Sequence, residues 1–383
     1  MTNWKHIKLG DISEVIGGGT PSTKNCDFWN GNIPWLTPKD LSGYNKRYIS
    51  KGERSITEKG LQNSSAKLLP KGAVLLTSRA PIGYLAMAQN EICTNQGFKS
   101  IILKEGYYPE FFYYLLKSNI DYIVNMGSGS TFAEISGTQV KNLEFSIPPL
   151  DIQKKIAGVL GALDDKIELN NKINNNLEQQ MYALVEQDIL NIETKIFLDE
   201  FCNVFTGRKN ANEFEKNGVN KFFTCGPDAL TINSFIYDGS AIIVSGNGAY
   251  TGRTRFYKGK FDLYQRTYAC TIKENIKSDY IYILYPILKL QLEKKLMGGT
   301  HGSAIPYIVM NDIAKFQVPF NEPVFNKIAP ICKAIIDKIQ ANEAENEKLS
   351  QLRDTLLPKL MSGEIDVSKV DILNSNLLFR ENA

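Results

Sequence analysis

The longest regular pattern of apolar and polar positions starts after Pro149. From Ile152 onward, apolar side chains recur at alternating four- and three-residue spacing, which places them along one face of a helix. The pattern predicts a helix from Asp151 to about Asp188, roughly 57 Å long at 1.5 Å per residue. Because this apolar seam is narrow, a helix of that length requires a partner helix to bury it.

The partner is predicted from the same chain, because the pattern returns 172 residues later. The apolar seam positions Ile156, Leu160, Leu163 and Ile167 correspond to Ile328, Cys332, Ile335 and Ile339. Two polar seam positions, Asn170 and Asn174, correspond to Asn342 and Asn346. A polar side chain in a buried seam costs stability but fixes register and orientation. The repeat therefore predicts an antiparallel pair of helices in which the four asparagines come close together.

Each long stretch follows a block of short, β-rich apolar runs, which are separated by turns containing Gly, Pro or Asn. The two blocks resemble each other. The segment LGDISEV from Leu9 matches LDEFCNV from Leu198, and AVLLTSRAPIGYLA from Ala73 has the outline of AIIVSGNGAYTGRT from Ala241. We therefore expect similar strands in both blocks.

A short helix is predicted near the end of each block. Residues Tyr107 to Lys117 read as a helix in the first block. Residues Asp279 to Leu290 are the counterpart in the second block, and we expect Pro286 to bend that helix.

The predicted fold class is α+β, with the order globular, long helix, globular, long helix. The globular domains, with twisted β-sheets and short helices, are residues 1–150 (the first block) and residues 193–320 (the second block). The long helices lie within residues 151–192 and 321–383 and are expected to form an antiparallel coiled coil with pseudo-two-fold symmetry. Such a tandem would hold two globular domains at a set distance.

The net charge of +3 is unevenly distributed along the chain. Residues 1–150, 151–196, 197–320 and 321–383 carry net charges of +4, −3, +4 and −2. A polyanion would bind the basic blocks in preference to the acidic helices. An alternation of this size also arises by chance, so it supports a polyanionic partner without establishing one.

Other features argue against a membrane or metal role. The chain has no apolar run of 18 or more residues, and its N-terminal stretch lacks the apolar region of a signal peptide. The six cysteines are scattered without a Cys-x-x-Cys pair, which is typical of reduced thiols in the cytoplasm. With only two histidines, a zinc site is not expected. We expect a cytoplasmic protein with no metal.

Two similar globular domains at a fixed spacing suit a linear, periodic ligand such as duplex DNA, whose half-sites on one face recur about every 34 Å. Gly- and Ser-rich loops let the backbone approach phosphates, while arginine can read guanine and Asn or Gln can read adenine. In the first block the candidate DNA-binding residues are Thr20, Lys39, Ser78, Arg79, Tyr84, Gln96, Ser130 and Thr131. In the second block they are Arg208, Asn247, Tyr250, Arg253, Gln265, Arg266 and His301. Any one of these loops alone could be an ordinary surface turn.

Motifs for catalysis are missing. The chain has no Gly-x-x-x-x-Gly-Lys-Ser/Thr phosphate loop and no Asn/Asp-Pro-Pro-Tyr/Phe motif of an amino-methyltransferase. The Gly-rich SGNGAYTG segment does not open a dinucleotide-binding helix, so no cofactor is expected. Two alternatives stay open on these residues: a self-contained methyltransferase or nuclease with an unrecognised site, and a coiled-coil scaffold that binds proteins only.

The chain resembles the specificity subunit of type I restriction–modification enzymes along nearly its whole length. The resemblance lies in WKHIKLGDISEVIGGGTPS from Trp4, IPWLTPKDL from Ile33, SIPPLDIQKKIAGVLGALDDKIELN from Ser146, FDLYQRTYA from Phe261 and LRDTLLPKLMSGEIDV from Leu352. It implies two target-recognition domains that each read half of a bipartite DNA sequence, and helices that form the spacer and dock two methyltransferase subunits. Restriction subunits would join that core. S-adenosylmethionine would be held by the methyltransferase subunits, so this non-catalytic chain would hold no cofactor.

Two departures from the family pattern change the expectations. NEPVFNKIAP, from Asn321, replaces the usual Pro-Pro-Leu-x-x-Gln entry of the second long helix, so Pro323 and Pro330 could shift or kink its start. The two blocks also differ strongly in sequence. The DNA target should therefore be asymmetric.

Overall fold

The structure is a computed structural model that describes residues 4–127, 133–301 and 306–370. The chain divides into two compact units. The first unit comprises Met1–Asn170 with Ala344–Ala383, and the second comprises Asn171–Glu343. Within the described residues, every helix is too short or too polar to cross a membrane.

The first block folds into short strands and helices before the first long helix begins. Its strands are β1 (Lys5–Lys8), β2 (Ser13–Gly17), β3 (Trp29–Leu36), β4 (Tyr48–Ile49), β5 (Arg54–Ile56), β6 (Val74–Ser78), β7 (Ile82–Ala88), β8 (Cys93–Thr94), β9 (Lys99–Leu103) and β10 (Glu144–Ile147). Its helices are α1 (Leu9–Ile12), α2 (Glu58–Gln62), α3 (Pro109–Ser118), α4 (Ile120–Asn125) and α5 (Gly137–Lys141). The predicted helix at Tyr107 is confirmed as α3, which begins at Pro109 because proline suits the first helical turn.

The described strands of the first block form three sheets. Five strands pair in the order β2-β9-β6-β7-β4, three in the order β5-β3-β8, and β1 pairs with β10 antiparallel. The strand β6 is buried along its whole length, as expected for the centre of a sheet. Aromatic side chains pack between the sheet and the helices: Phe111, Phe112 and Tyr114 of α3 are fully buried there.

The second block follows the first long helix, α6 (Leu150–Asp188), and like the first it opens with a strand and a one-turn helix and closes with a strand. Its strands are β11 (Lys195–Phe197), β12 (Cys202–Thr206), β13 (Asn220–Phe223), β14 (Leu230–Ile232), β15 (Tyr237–Ser245), β16 (Thr254–Leu263), β17 (Thr267–Ile272) and β18 (Gln317–Pro319). Its helices are α7 (Leu198–Phe201), α8 (Tyr280–Ile287), α9 (Glu293–Leu296) and α10 (Met310–Ala314), and α11 (Glu322–Met361) follows. Six strands pair in the order β12-β17-β15-β16-β13-β14, and β11 pairs with β18.

The predicted helix at Asp279 is longer and less regular than the sequence suggests. Pro286 lies inside α8, and a π-helical turn, Leu288–Leu292, joins α8 to α9. Proline removes one backbone donor from the helical ladder, and wider π turns are a common way to accommodate such a defect.

The helix α11 begins at Glu322 and is helical through both Pro323 and Pro330. Proline in the first turn costs little, because its missing N–H would have no helical partner there. Glu322 lies 172 residues after Leu150, the first residue of α6, so the start of α11 is not shifted relative to the repeat.

In the first unit, the start of α6 packs against the end of α11. Ile156 and Leu160 share a hydrophobic core with Leu357 and Leu360, and all four are nearly inaccessible to solvent. Full burial of each such side chain contributes about 1.5–3 kcal/mol relative to exposure. Asn170 Nδ2 donates to Asn346 Oδ1 at 2.9 Å. The two helices are thus antiparallel in this unit.

In the second unit, the end of α6 packs against the start of α11. Met181 and Val185 share a core with Ile328 and Cys332. Asn342 Nδ2 donates to Asn174 Oδ1 at 2.6 Å. Asn170, Asn174 and Asn342 are at most 9% exposed, so the asparagines lie within the seam and the prediction of an antiparallel pair is confirmed.

The six cysteines are free thiols with very different exposure. Burial raises the pKa of Cys93, Cys202 and Cys332 to about 12, and Cys270 is fully buried, whereas Cys26 is exposed. Since the thiolate is the reactive form, we expect a short pulse of iodoacetamide at pH 8 to label Cys26 first. Peptide mass spectrometry measures this. Fast labelling of Cys202 in the native chain would contradict the described packing.

Candidate nucleic-acid interface

In the first block, the loop after β2, residues 18–24, meets the loop after β8, residues 95–98. The Gly19 N–H donates to the Thr94 carbonyl at 2.9 Å, and the Thr20 hydroxyl donates to Gln96 Oε1 at 2.5 Å. A Cβ at Gly18 would lie 2.0 Å from the Asn95 carbonyl oxygen, so only glycine permits this approach. Thr20 and Gln96 are both exposed and adjacent.

The turn between β6 and β7 joins the same cluster. The Ser78 N–H donates to the Gly97 carbonyl at 2.7 Å, and the Ser78 carbonyl accepts from the Ile135 N–H at 3.0 Å. The Ser78 side chain is fully buried, where its hydroxyl accepts from Lys99 Nζ at 3.4 Å. Ser78 therefore holds loops together, and its side chain is enclosed within the protein.

Arg79 follows in this turn and pairs with an acidic residue that the sequence pattern did not single out. Its Nη1 lies 3.6 Å from Glu134 Oε2, and Lys99 Nζ lies 3.4 Å from Glu134 Oε1. The Arg79 and Glu134 side chains are each about two-fifths exposed, so this pair is weak and open to competition by phosphate. Two cations around one carboxylate leave a local excess of positive charge.

The other candidates of the first block differ in accessibility. Lys39 is exposed and forms an ion pair with Glu53 at 2.9 Å; the hydrogen bond and charge of Glu53 raise the pKa of Lys39. Tyr84 is half-buried against the core of the sheet, and its N–H donates to the Thr77 hydroxyl. Ser130 and Thr131 lie outside the described residues.

In the second block, Gln265 links the turn between β16 and β17 to the loop that follows β12. Its N–H donates to the Lys209 carbonyl at 2.9 Å, its Nε2 donates to Asn210 Oδ1 at 3.3 Å, and its carbonyl accepts from the Thr206 hydroxyl at 2.8 Å. Arg208 and Arg266, next in sequence to these contacts, are both exposed. Two arginines and an amide are thereby presented from neighbouring loops.

The turn between β15 and β16 is hydrogen-bonded to the loop between α9 and α10. This resembles the first block, where the turn after β6 is hydrogen-bonded to the loop before α5. The Ile308 N–H donates to the Gly246 carbonyl at 2.9 Å, and Asn247 forms a bridge with Tyr307. His301 is exposed, stacks on Tyr307 with ring centroids 5.2 Å apart, and lies 3.4 Å from Asp312 Oδ2.

A further loop of the second block, residues 224–228, was missed by the sequence patterns. Arg253 Nη1 donates to the Pro227 carbonyl at 2.9 Å and stands over the Tyr250 ring at 5.5 Å. Arg255 donates to the carbonyls of Thr224 and Gly226 at 3.0 and 3.4 Å. Burial, and then the nearby Arg253 charge, lower the pKa of Arg255. The Cys225-Gly226-Pro227 turn and the Arg-x-Arg spacing at the start of β16 were the available signals.

These two loop clusters offer amides, guanidinium groups and aromatic rings on open surfaces, which suits backbone contact and base recognition in nucleic acid. Among residues 4–127, 133–301 and 306–370, no group of three metal-ligating side chains comes together.

Comparison with known proteins decides between the open alternatives. The family model described as type I restriction modification DNA specificity domain matches residues 1–179 and 192–351. The chain belongs to this family. It is similar to the type I restriction enzyme MjaIX specificity subunit of Methanocaldococcus jannaschii, at 33% identity over 96% of this chain and 95% of that protein. It is also similar to the EcoR124I/EcoR124II specificity subunit of Escherichia coli, at 29% identity over 46% of this chain and 44% of that protein.

The fold of this specificity subunit is also similar to a solved one. The crystal structure of a type I restriction–modification S subunit from M. genitalium superposes with a TM-score of 0.62 at 18% identity, covering 94% of this chain and 96% of that chain. As a specificity subunit, the protein recognises a DNA target and has no catalytic activity of its own. The readings as a self-contained enzyme and as a protein-only scaffold are therefore set aside.

Proposed function

We propose that this specificity subunit reads an asymmetric bipartite duplex, with one half-site bound by each globular block. The observation that carries the proposal is that both units present a loop cluster on the same scaffold. In each, the turn after the central strand, β6 or β15, is hydrogen-bonded to the loop before a short helix. The side chains displayed there differ, with Arg79 and Gln96 in the first block and Asn247 and Arg253 in the second. Different half-sites follow from that difference.

In this proposal, residues 1–150 and 193–320 are the target-recognition domains. Residues 151–192 and 321–383 contain the helices that set the spacer between the half-sites. The buried asparagine pairs support this role, because they define one register of α6 against α11.

The partners follow from the family. We infer that double-stranded DNA, two methyltransferase subunits and the restriction subunits of a full complex bind this chain, and that the long helices dock the methyltransferase subunits. Some large apolar side chains on the long helices are exposed: Leu169 and Leu352 in the first unit, and Ile331 in the second. Their exposure supports the proposal that the helices dock a partner protein. S-adenosylmethionine belongs to the methyltransferase subunits in this scheme, so the chain needs no cofactor.

Selection from randomised duplexes tests the proposal. The full chain, produced together with its methyltransferase subunits, should enrich two unlike half-sites separated by one spacer length. Affinity for the selected duplex should fall steeply with salt, because phosphate contacts release counter-ions. A single continuous motif, or binding insensitive to salt, would count against two DNA-reading domains.

Arg79→Ala and Gln265→Ala should each weaken discrimination at one half-site only. A bidentate contact to a base contributes about 1–3 kcal/mol of discrimination, so we expect roughly a 5- to 150-fold loss of preference at the affected bases. Competition binding with duplexes substituted in one half-site at a time measures the effect. The two variants serve as controls for each other, and an equal loss at both half-sites for either variant would contradict the assignment.

A further inference from the structure

A buried polar cluster in the first unit joins the first block to both long helices. We call it the Arg47 cluster, and it consists of Arg47, Tyr114, Asp164, Asp165 and Arg353. Arg47 lies just before β4 and Tyr114 lies on α3, both in the first block. Asp164 and Asp165 lie on α6, and Arg353 lies on α11.

The cluster is a continuous hydrogen-bonded chain. Arg47 Nη1 donates to the Tyr114 hydroxyl at 3.0 Å, and that hydroxyl donates to Asp164 Oδ2 at 2.6 Å. Arg353 Nη1 donates to Asp164 Oδ1 at 2.7 Å. Arg47 Nη2 also pairs with Asp165. Arg47 is 8% exposed and Asp164 is 7% exposed, so these contacts are shielded from water.

The surrounding backbone is adapted to the guanidinium group of Arg47. A Cβ at Gly161 of α6 would lie 2.7 Å from Arg47 Nη1, so a glycine in this helix leaves the space that Arg47 fills. The Arg47 N–H donates to Glu168 Oε1 at 3.0 Å. Both the side chain and the backbone of this loop are therefore fixed to α6.

The second unit has no equivalent cluster at the repeated positions. The residue 172 positions after Asp164 is Ile336, which is part of an apolar core, and the residue 172 positions after Gly161 is Lys333. Lys333 forms an ion pair with Asp279 at 2.9 Å, and both side chains are about two-fifths exposed. At these repeated positions, the first unit therefore has a buried charged attachment and the second has an exposed ion pair.

We propose that the Arg47 cluster fixes the rotation of the first target-recognition domain on the paired helices, and that this rigidity makes the protein select one spacer length. Arg47 is then a positioning residue for the first half-site. The inference rests on the proposed function, because a spacer exists only if two half-sites are read.

The geometry of DNA explains why rotation matters. One added base pair moves a half-site about 3.4 Å along the axis and turns it by roughly 35°. A domain held by several directional hydrogen bonds cannot follow both changes. A domain held mainly by apolar packing can pivot over a smooth surface at smaller cost, because apolar burial is non-directional.

Arg47→Met tests the proposal. The variant should fold, because Asp164 keeps its bonds from Tyr114 and Arg353, and Asp165 is half exposed to water. Gly161→Ala is the second variant, since its methyl group would displace the guanidinium without removing it. Lys333→Met is the matched control, because it removes an exposed ion pair between helix and domain in the second unit.

The measurement is competition binding of the full chain, produced with its methyltransferase subunits, to duplexes selected by the unaltered protein. The spacer is varied by −1, 0 and +1 base pair. For Arg47→Met and Gly161→Ala, we expect discrimination against altered spacers to fall by about tenfold, with base preference in both half-sites retained. Lys333→Met should match the unaltered protein.

Three outcomes separate the possibilities. A spacer profile in both cluster variants equal to that of the unaltered protein would overturn the role of the Arg47 cluster. Loss of base preference at the first half-site would also overturn it, because Arg47 would then shape the reading loops themselves. Indifference of the unaltered protein to spacer length would instead refute the proposed function.

Discussion

Duplicating residues 170–173 together with residues 343–346 should lengthen the recognised spacer by one base pair. Each segment contains the point at which a long helix passes from one unit to the other along the chain. The duplication repeats Asn170 and its partner Asn346. Four helical residues add about 6 Å of length and about 40° of rotation beyond one full turn. One base pair adds roughly 35° and about 3.4 Å, and two add roughly 70° and about 6.8 Å, so the added rotation matches one base pair although the added length is closer to two. We expect the rotation to decide, because a half-site turned by a further roughly 35° faces away from its domain.

The effect should be large, because both half-sites cannot then be bound at once on the original target. Affinity for the original duplex should fall toward the non-specific level, a loss on the order of a thousandfold. Renewed selection from randomised duplexes should recover the same two half-sites with the longer spacer. Duplicating residues 170–173 alone is the control, since it offsets the asparagine pairs and should impair folding. An unchanged spacer in the double duplication would show that these helices do not set it.

Asp164→Asn should destabilise the first unit by about 3 kcal/mol. Asp164 is the buried acceptor for both Tyr114 and Arg353, and burial raises the pKa of the Tyr114 phenol well above its ordinary value, so the phenol remains a donor. Breaking a buried ion pair by neutralising one partner costs about 3–5 kcal/mol. Asparagine can still accept from Tyr114, which places the expected cost at the lower end.

Urea unfolding followed by tryptophan fluorescence measures this loss in the first unit alone. The three tryptophans of the chain, Trp4, Trp29 and Trp35, all belong to that unit. Asp354→Asn is the matched control: Asp354 pairs with the same Arg353 at 2.8 Å but is 62% exposed, so its loss should cost less than about 1 kcal/mol. Equal midpoints for the two variants would mean that the Arg47 cluster contributes no special stability.

The long helices were predictable because their determinants are local. Apolar spacing depends on residues three and four apart, and it predicted the extent of α6 closely. The repeat also predicted that Asn170 and Asn174 lie near Asn342 and Asn346, because an antiparallel pair brings the repeated seam positions together. The individual pairs, Asn170 with Asn346 and Asn174 with Asn342, are given by the structure.

The loops that meet in each block were predictable as a set but not in their contacts. Glycine, serine and arginine mark a loop whether a side chain faces solvent, as Gln96 does, or is enclosed, as Ser78 is. The pairing of Arg79 with Glu134 joins residues far apart in sequence. Local composition carries no information about such distances.

The sequence by itself determined the two-part organisation, the antiparallel helix pair and the family, because periodicity and repeated motifs are properties of the chain in one dimension. Only the tertiary structure decided that Arg255 organises residues 224–228 and that Arg47 reaches α6 through Tyr114 and the space at Gly161. Those contacts depend on how sheets and helices pack, and packing brings together residues whose separation along the chain gives no sign of their proximity.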